Sequence, residues 1–264
     1  MTSVLSYIGR NTLELIRYLT GLGGLNKEAG YWTFVAPFKG RALKWQNTIH
    51  QMVLVGIDSI PIVSIISIFI GLVLALQGAY ELKSYGATYL VTALVGVTMT
   101  RELGPLMTAI IIAGRSGSAF AAEIGTMKVA EELDALEVMG LNQVRYLVVP
   151  KYLAMIIMMP CLSLISDLSG IVGGALFEIF QLDQSVWTIL VHNQEALVMR
   201  DIWTGLVKSI VFGIIIAEVG CYEGFSVKGG AEGVGKATTS SVVVSIFLVI
   251  FADVIFTAIF YYTG

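Results

Sequence analysis

The sequence is poor in charged residues and in the residue groups that build metal sites or activated nucleophiles. Asp, Glu, Lys and Arg make up 13% of its 264 residues, whereas a soluble domain carries about 25%. The two cysteines, Cys161 and Cys221, and the two histidines, His50 and His192, lack the spacing of a metal site or of a nucleophile–base pair. The net charge of −3 gives no overall basic field for a nucleic acid. We therefore expect neither a soluble domain, nor a metal site, nor a nucleic-acid partner.

Long apolar blocks fill most of the chain. Hydrophobic residues make up 56% of it, and the mean hydropathy is +0.82. Because a transmembrane helix needs about 20 apolar residues, we predict an all-α integral membrane protein with about five spans in a single membrane domain, residues 1–264. Small residues at helical spacing from Ser163 to Gly174 are typical of close helix contacts. The predicted spans are Met52–Gln77, Ala87–Ala113, Tyr152–Phe180, Ile202–Tyr222 and Ser241–Tyr262.

The first 50 residues resemble neither a span nor a signal peptide. Apolar residues between Val4 and Leu19 fall on one helical face, and no continuous apolar core precedes a cleavage site. We predict an N-terminal helix that lies in the plane of the membrane interface and ends at Gly21 to Gly24. Residues 1–50 thus form an interfacial segment ahead of a membrane core of residues 52–262.

Charged residues interrupt the second span. Gly104 and Pro105 follow Arg101 and Glu102, so we predict a kink at this point. Charges at membrane depth are costly unless they are paired or wet. Two interpretations stay open: an ion-pair network that only fixes helix packing, or the polar floor or gate of a substrate cavity. Three charged residues in other spans could join this group: Lys208, Asp253 and Asp167.

A polar stretch, residues 115–150, separates the second and third spans. Its middle predicts a short amphipathic helix from Met127 to Met139, with Thr126 as its N-cap and Gly140 ending it in a left-handed conformation. Such a helix between two spans is either a docking element for a partner or a solvated loop helix. Its acidic and apolar members include Glu131, Glu132, Leu133, Asp134 and Leu136.

The segment GAEGVGKATT, residues 230–239, nearly spells a phosphate-binding P-loop. That motif needs a Ser or Thr directly after its Lys, but Ala237 follows Lys236 here. A P-loop also needs a preceding strand, whereas predicted spans flank this segment. We therefore predict a loop between the fourth and fifth spans that binds no nucleotide.

Lys and Arg are concentrated on one side of the predicted spans, and the positive-inside rule places that side in the cytoplasm. The N-terminus and the stretch 115–150 are therefore predicted to be cytoplasmic, and the C-terminus to lie outside. The cytoplasmic segments hold Arg10, Arg17, Lys27, Lys39, Arg41, Lys44, Arg115, Lys128, Arg145, Lys151, Lys228 and Lys236, whereas the opposite side holds Lys83 and Arg200.

Two motifs carry a resemblance to a known family. They are AGRSGSAFAAEIGTMKVAEELDALEVMGLN, from Ala113 to Asn142, and TRELGP, from Thr100 to Pro105. The sequence resembles the MlaE-type permeases, which are the membrane subunits of ABC transporters that work with MCE-domain proteins on lipids. The likeness runs from about Gly40 onward. Gln143 departs from the family pattern, which favours Pro after the Asn, and this departure puts only the local turn in doubt.

The resemblance implies a permease that moves phospholipids between the bacterial inner membrane and a periplasmic MCE-domain protein, and so maintains outer-membrane lipid asymmetry. It implies a homodimer with two cytoplasmic ATPase subunits and, in some systems, a small regulatory subunit. ATP and Mg would lie on the ATPase, so we expect no catalytic residue and no cofactor in this chain. The short helix Met127–Met139 would place its apolar side in a groove of the ATPase and its acidic side against basic residues there.

The resemblance also implies where the substrate binds. Arg101 and Glu102 match the pair that borders the family's substrate pocket, and Lys208 and Asp253 are added as further polar members. The first span would supply the apolar wall. Its candidate residues are Phe69, Leu72, Leu76 and Tyr80.

Two other functions compete with this reading. A self-contained, ion-coupled secondary transporter would use the intramembrane charges, and broken helices fit such a protein. A structural membrane anchor for a partner complex is the third possibility, but it leaves the interrupted second span unexplained.

Overall fold

The structure, a computed structural model, describes residues 16–18, 20–35 and 45–262. Every element assigned within these ranges is helical, which confirms the predicted all-α class. Five of the helices are long and apolar enough to cross a membrane. These are α2 (Trp45–Lys83), α3 (Thr88–Val129), α5 (Val144–Gln181), α7 (Met199–Ser226) and α8 (Gly230–Tyr262). The shorter helices are α1 (20–35), α4 (Glu132–Val138) and α6 (Val186–Ala196).

The spanning helices are longer than the predicted spans. Helix α3 passes its predicted end at Ala113 through a π-helical turn, Ala113–Gly117, and continues to Val129. Helix α8 begins at Gly230, so the predicted loop 230–239 is wrong: these residues form its first turns. The reason is that side-chain polarity marks where a helix leaves the apolar layer, while its backbone hydrogen bonds continue beyond that layer.

The predicted helix Met127–Met139 is also wrong in its bounds. Thr126 lies inside α3 rather than at an N-cap. The chain turns at Glu131, which has a left-handed φ of 60°, and the seven-residue helix α4 follows. Its predicted end is confirmed, since Gly140 has a φ of 71°.

Helix α1 lies against the end of the bundle that carries residues 130–143. The Tyr18 hydroxyl donates to Glu223 Oε1 at 2.8 Å, and the Tyr152 hydroxyl donates to Asn26 Oδ1 at 3.1 Å. Burial and the bond to Glu223 both raise the pKa of Tyr18, so its hydroxyl keeps the proton that it donates. The rest of the predicted interfacial helix, residues 1–15 and 19, lies outside the described residues, as do residues 36–44.

The predicted end of the N-terminal helix at Gly21 to Gly24 is wrong. The backbone stays helical through this segment and ends in a π-helical turn, Tyr31–Val35. Gly21 serves close packing instead, because a Cβ there would lie 2.5 Å from the Tyr222 hydroxyl oxygen. Gly21 therefore permits a close contact between helices, whereas the sequence prediction assigns it to a helix end.

Helix α5 lies at the centre of the bundle and packs against α2, α3 and α7, while α7 also packs against α3 and α8. The backbones of α2 and α5 touch. A Cβ on Gly71 would overlap the carbonyl of Gly170, and a Cβ on Gly173 would overlap the carbonyl of Ile68. The expected close contact through small residues is thus confirmed in the third span.

Helix α8 packs differently, through one narrow stripe of mostly small residues. Its apolar residues on the other side are largely exposed, including Val243, Phe247 and Phe251. The buried stripe consists of Ala237, Ser241, Ser245 and Val249.

We predict that Gly71→Ala lowers the stability of the protein by about 1–3 kcal/mol, because an added methyl forces the α2 and α5 backbones apart. The matched control is Gly235→Ala in α8, where a Cβ meets nothing within 4 Å and the loss of glycine favours a helix. Thermal unfolding of both variants in detergent micelles measures the difference. Equal melting temperatures for the two variants would contradict the backbone contact.

Candidate functional site

Helix α3 is irregular where the sequence predicts a kink. Met99–Leu103 forms a π-helical turn, and Gly104 and Pro105 begin the next α-helical segment. Glu102 lies 14 residues from the Thr88 end of α3, or about 21 Å along the helix. The irregular turn therefore lies at membrane depth, where backbone of this kind must be covered by protein or line a wet cavity.

Lys208 on α7 is the centre of the polar cluster at this turn. Its side chain is fully buried. The ammonium contacts the Glu102 carboxylate on α3 and lies 2.9 Å from Asp253 Oδ1 on α8. It also donates to Thr257 Oγ1 at 2.8 Å. One buried cation thus joins three helices through two carboxylates and a hydroxyl.

Local packing explains how Lys208 reaches Glu102. Gly205, one turn before Lys208, faces the backbone of Thr100, and a Cβ at Gly205 would overlap the Thr100 carbonyl. The absence of a side chain lets α7 approach the irregular turn of α3 directly. Thr257 completes the cluster, since its hydroxyl lies 3.2 Å from both oxygens of Glu102.

Arg101 takes part in a separate contact. Its Nε atom lies 3.7 Å from Asp201 Oδ1 at the start of α7. The other oxygen of Asp201 accepts from the Val198 backbone N–H at 3.3 Å and so caps that helix. Arg101 and Glu102 are neighbours in sequence, but the structure joins them to different partners.

A cavity of about 490 Å³ opens beside Glu102. The Glu102 side chain is 31% exposed, while Lys208 behind it is fully buried. The cavity therefore presents two carboxylates and the Thr257 hydroxyl together with apolar and aromatic side chains along α8. Its lining is Glu102, Asp253, Val254, Thr257, Ala258, Tyr261 and Tyr262.

The four residues predicted as the apolar wall do not line this cavity. Phe69, Leu76 and Tyr80 lie exposed on α2, and Leu72 is half-buried there. Helix α2 packs on α5 and α3. Within one chain the structure brings together Glu102, Lys208 and Asp253, and it leaves the first-span residues on another face; their role in binding stays a prediction.

Asp167 does not join the cluster either. It lies on α5 with its Oδ1 against the α-carbon side of Gly104, where a Cβ would overlap it. This carboxylate oxygen is buried and has no hydrogen-bond partner among the described residues. Asp167 thus covers the irregular turn of α3 at Gly104.

Helix α4 turns its apolar residues inward. Leu133 and Leu136 are 4% and 8% exposed and pack in the core of this chain. Their expected place in a groove of a partner is therefore corrected. Glu131, Glu132 and Asp134 are exposed, as predicted for the acidic side. The apolar surface that α4 offers comes instead from the residues that end it, Val138 and Met139, which are 88% and 64% exposed.

Sequence reasoning missed Thr257 and Asp201. Thr257 lies four residues after Asp253 in the same helix, and this spacing puts both on one face. That pattern was available in the sequence. Asp201 gave no comparable signal, because its link to Arg101 depends on how α7 begins beside α3.

Comparison of the sequence with known proteins identifies its family. A family profile described as Permease MlaE matches residues 48–259. The chain belongs to the MlaE permease family. A probable ABC transporter permease protein of Rickettsia bellii is 37% identical over 261 residues, which cover 99% of both chains. A probable ABC transporter permease protein of Synechocystis is 41% identical over 222 residues, or 83% of each chain.

A plant relative extends the comparison. The Arabidopsis thaliana protein named trigalactosyldiacylglycerol 1, chloroplastic, is 35% identical over 223 residues, which cover 84% of this chain and 63% of that protein. The chain is therefore a multi-pass membrane subunit of an ABC transporter, and such a subunit associates with an ATPase partner. Membership of this family decides against the self-contained secondary transporter.

We predict that Lys208→Met destabilises the protein strongly, by about 3–5 kcal/mol, because it leaves Glu102 and Asp253 facing each other without their shared cation. The control is Lys236→Met, which removes an exposed ion pair with Glu232 and should change stability little. Thermal unfolding of the purified protein compares the two. A Lys208→Met variant as stable as the control would show that the cluster does not hold the helices together.

Proposed function

We propose that this permease moves phospholipids between the bacterial inner membrane and a periplasmic MCE-domain protein, and thereby maintains the lipid asymmetry of the outer membrane. The observation that carries the proposal is the cavity beside Glu102. It combines a small polar end with an apolar and aromatic wall at membrane depth. A phospholipid needs this combination, since it has a charged head and apolar tails.

The name of the plant relative supports a lipid substrate. The Arabidopsis protein is named after trigalactosyldiacylglycerol, a glycolipid with two acyl chains and an uncharged sugar head. Our chain places a carboxylate at the polar end of its cavity, where hydrogen bonds from a hydroxyl or an ammonium group can both be accepted. This glycolipid and a phospholipid both carry two acyl chains, so an apolar wall suits either kind of lipid.

A second copy of the chain would complete the cavity. Helix α8 forms most of the lining, and its neighbouring residues Phe247 and Phe251 are 68% and 58% exposed. A second copy seated against α8 would cover these rings and enclose the carboxylate of Glu102 between two chains. In that dimer the exposed first-span residues Phe69, Leu76 and Tyr80 would extend the apolar wall.

The ATPase would dock at the end of the bundle that carries α4. This end is rich in Lys and Arg, which places it in the cytoplasm with the N-terminus, and the C-terminus in the periplasm. Helix α4 offers exposed Glu131, Glu132 and Asp134 for basic residues of the ATPase. ATP and Mg would remain on that partner, and a small regulatory subunit would bind it in some systems. The MCE-domain protein would bind at the opposite end.

Movement at α4 would reach the site through rigid contacts. Leu133 and Leu136 fix α4 in the core, and the Gln143 side chain donates to the Leu133 carbonyl at 2.9 Å. Helix α3 then runs without a non-helical break from Val129 back to Glu102. A displacement of α4 by the ATPase would therefore tilt or rotate the helix that holds the cavity carboxylate.

We predict that Glu102→Gln reduces ATP-driven phospholipid movement at least about tenfold, since losing one charge-assisted hydrogen bond costs about 1.5 kcal/mol or more. The complex is reconstituted in liposomes and labelled phospholipid is followed with and without ATP. Glu81→Gln is the control, since Glu81 is an exposed acid near the Lys83 end of α2. Transport by Glu102→Gln at the control rate would remove Glu102 from the substrate site.

We predict that reversing the charges of Glu131, Glu132 and Asp134 together releases the ATPase and stops transport while the fold stays intact, because these side chains are exposed and make no contact that the core needs. The control is Glu232→Lys, an exposed acid at the same end of the bundle but on α8. Copurification of the ATPase and the melting temperature are measured. Full copurification with the triple variant would place the docking surface elsewhere.

A further inference from the structure

A cavity near the α4 end of the bundle is separate from the cavity beside Glu102. It has a volume of about 650 Å³ and lies between the start of α2, the end of α3 and the start of α5. Its polar lining includes His50, Gln51, Glu123 and Lys151. Along α3, 21 residues separate Glu123 from Glu102, which is about 32 Å of helix. The two cavities are therefore far apart along α3, and they share no lining residue.

A second, smaller cavity continues this space. It has a volume of about 260 Å³, and Gln51 and Glu123 line both cavities. Together they form one groove between α2 and α3, which we name the α2–α3 groove. Glu123 lies six residues before the end of α3, and Lys151 lies seven residues after the start of α5. On α2, the lining residues Gln46 to Val53 adjoin the start of the apolar span predicted from Met52, so the groove opens at the level of the lipid headgroups.

The charges in the α2–α3 groove are balanced by pairs. Lys151 is 2% exposed, and its ammonium lies 2.8 Å from Glu123 Oε2 and 5.3 Å from the centre of the Phe120 ring. Arg115 donates to the Leu54 carbonyl at 2.7 Å and to Ser59 Oγ at 2.5 Å, and it lies 3.8 Å from Asp58. Two cations thus face two carboxylates, so the groove offers no net positive charge to an anionic headgroup.

Glu123 and His50 are the groups left to contact a ligand. The Glu123 side chain is 47% exposed although one of its oxygens contacts Lys151. His50 is exposed at the rim of the cavity, and the amide of Gln51 lies next to it in sequence. A carboxylate that can accept hydrogen bonds and an imidazole and amide that can donate them match a zwitterion with an ammonium and a phosphate.

The surroundings of the groove indicate a lipid. Trp45, Ile49 and Val53 follow one another at intervals of four residues on α2 and are 57%, 56% and 39% exposed. They form an apolar stripe beside the opening, and a Trp at the start of a span is typical of the membrane interface. Acyl chains of a lipid whose head lies in the groove would run along this stripe.

We propose that the α2–α3 groove binds the headgroup of a zwitterionic phospholipid with a primary ammonium, of the phosphatidylethanolamine class. Glu123 accepts hydrogen bonds from the ammonium, and His50 and Gln51 donate to the phosphate. A trimethylammonium head fits less well, because it donates no N–H bonds and needs an aromatic cage. Tyr146 is the single aromatic residue among the described residues that line the larger cavity. This binding goes beyond the proposed transport and requires no ATP.

The test places a photo-reactive residue at Gln46, an exposed residue of the cavity lining. The whole transporter complex is reconstituted in nanodiscs with equal amounts of phosphatidylethanolamine, phosphatidylcholine and phosphatidylglycerol, and adducts are identified by mass spectrometry. We expect about tenfold more adduct with phosphatidylethanolamine than with either other lipid, as one charge-assisted hydrogen bond implies. The control places the same photo-reactive residue at Ile62, which is exposed in the middle of α2. Its adducts should match the lipid composition of the nanodisc.

The variant that tests the chemistry is Glu123→Gln combined with Lys151→Met. Removing both charges avoids leaving a buried ammonium unpaired, and an unchanged melting temperature confirms the fold. We expect the preference at position 46 to fall to about equal capture of the lipids. A preference that survives in this variant, or bulk-like capture in the unmodified complex, overturns the proposal. Preferential capture of phosphatidylglycerol does so as well.

Two further measurements complete the test. One distinguishes a membrane lipid from its free headgroup, and the other distinguishes the groove proposal from the transport proposal. Photo-reactive glycerophosphoethanolamine, which lacks acyl chains, should give little adduct with the detergent-solubilised complex; capture equal to that of the lipid overturns the lipid assignment. Capture is measured without ATP, so it does not depend on transport. If the liposomes show no phospholipid transport but position 46 still captures phosphatidylethanolamine preferentially, the proposed function fails and the groove assignment stands. If transport occurs but position 46 shows no such preference, only the groove assignment fails.

Discussion

The buried ammonium of Lys208 is the constraint on which the rest of the bundle depends. The ammonium donates to the carboxylate of Glu102 and to the hydroxyl of Thr257, and it forms an ion pair with Asp253, so its partners lie on two other helices. An ion in an apolar interior is tolerated only with such partners. The irregular turn of α3, the missing side chain at Gly205 and the position of α8 all serve this contact. Removing one of the two carboxylates would leave the fully buried ammonium with a single anionic partner.

A second helix also covers this turn. Asp167 on α5 lies against Gly104, while α7 approaches through Gly205. The irregular backbone of α3 is therefore covered by two helices, and Glu102 is the residue of α3 that lines the cavity. This arrangement combines the two interpretations of the charged residues: Lys208 acts in helix packing, and the exposed part of Glu102 is available to a ligand.

The sequence was sufficient for the class, the number of spanning helices in the described chain and the family. Apolar length and an ordered motif carry that information locally. The helix ends were less predictable, because residues such as Lys236 and Glu232 continue a helix outside the apolar layer without changing its backbone. The cost of charge at membrane depth groups five residues in the sequence, and the structure joins three of them, Glu102, Lys208 and Asp253. Arg101 and Asp167 make other contacts. The inward position of Leu133 and Leu136 could not be foreseen, since an amphipathic pattern does not say whether its apolar side meets a partner or the same chain.

The packing of α8 has a consequence for how this helix is attached. Ala237, Ser241 and Ser245 meet the bundle with small side chains, and Val249 is the larger residue of the same stripe. By contrast, α2 and α5 touch backbone to backbone at Gly71 and Gly173. The contacts of Asp253 and Thr257 with Lys208 therefore give α8 a charged and hydrogen-bonded attachment to α7 that its small buried residues do not supply.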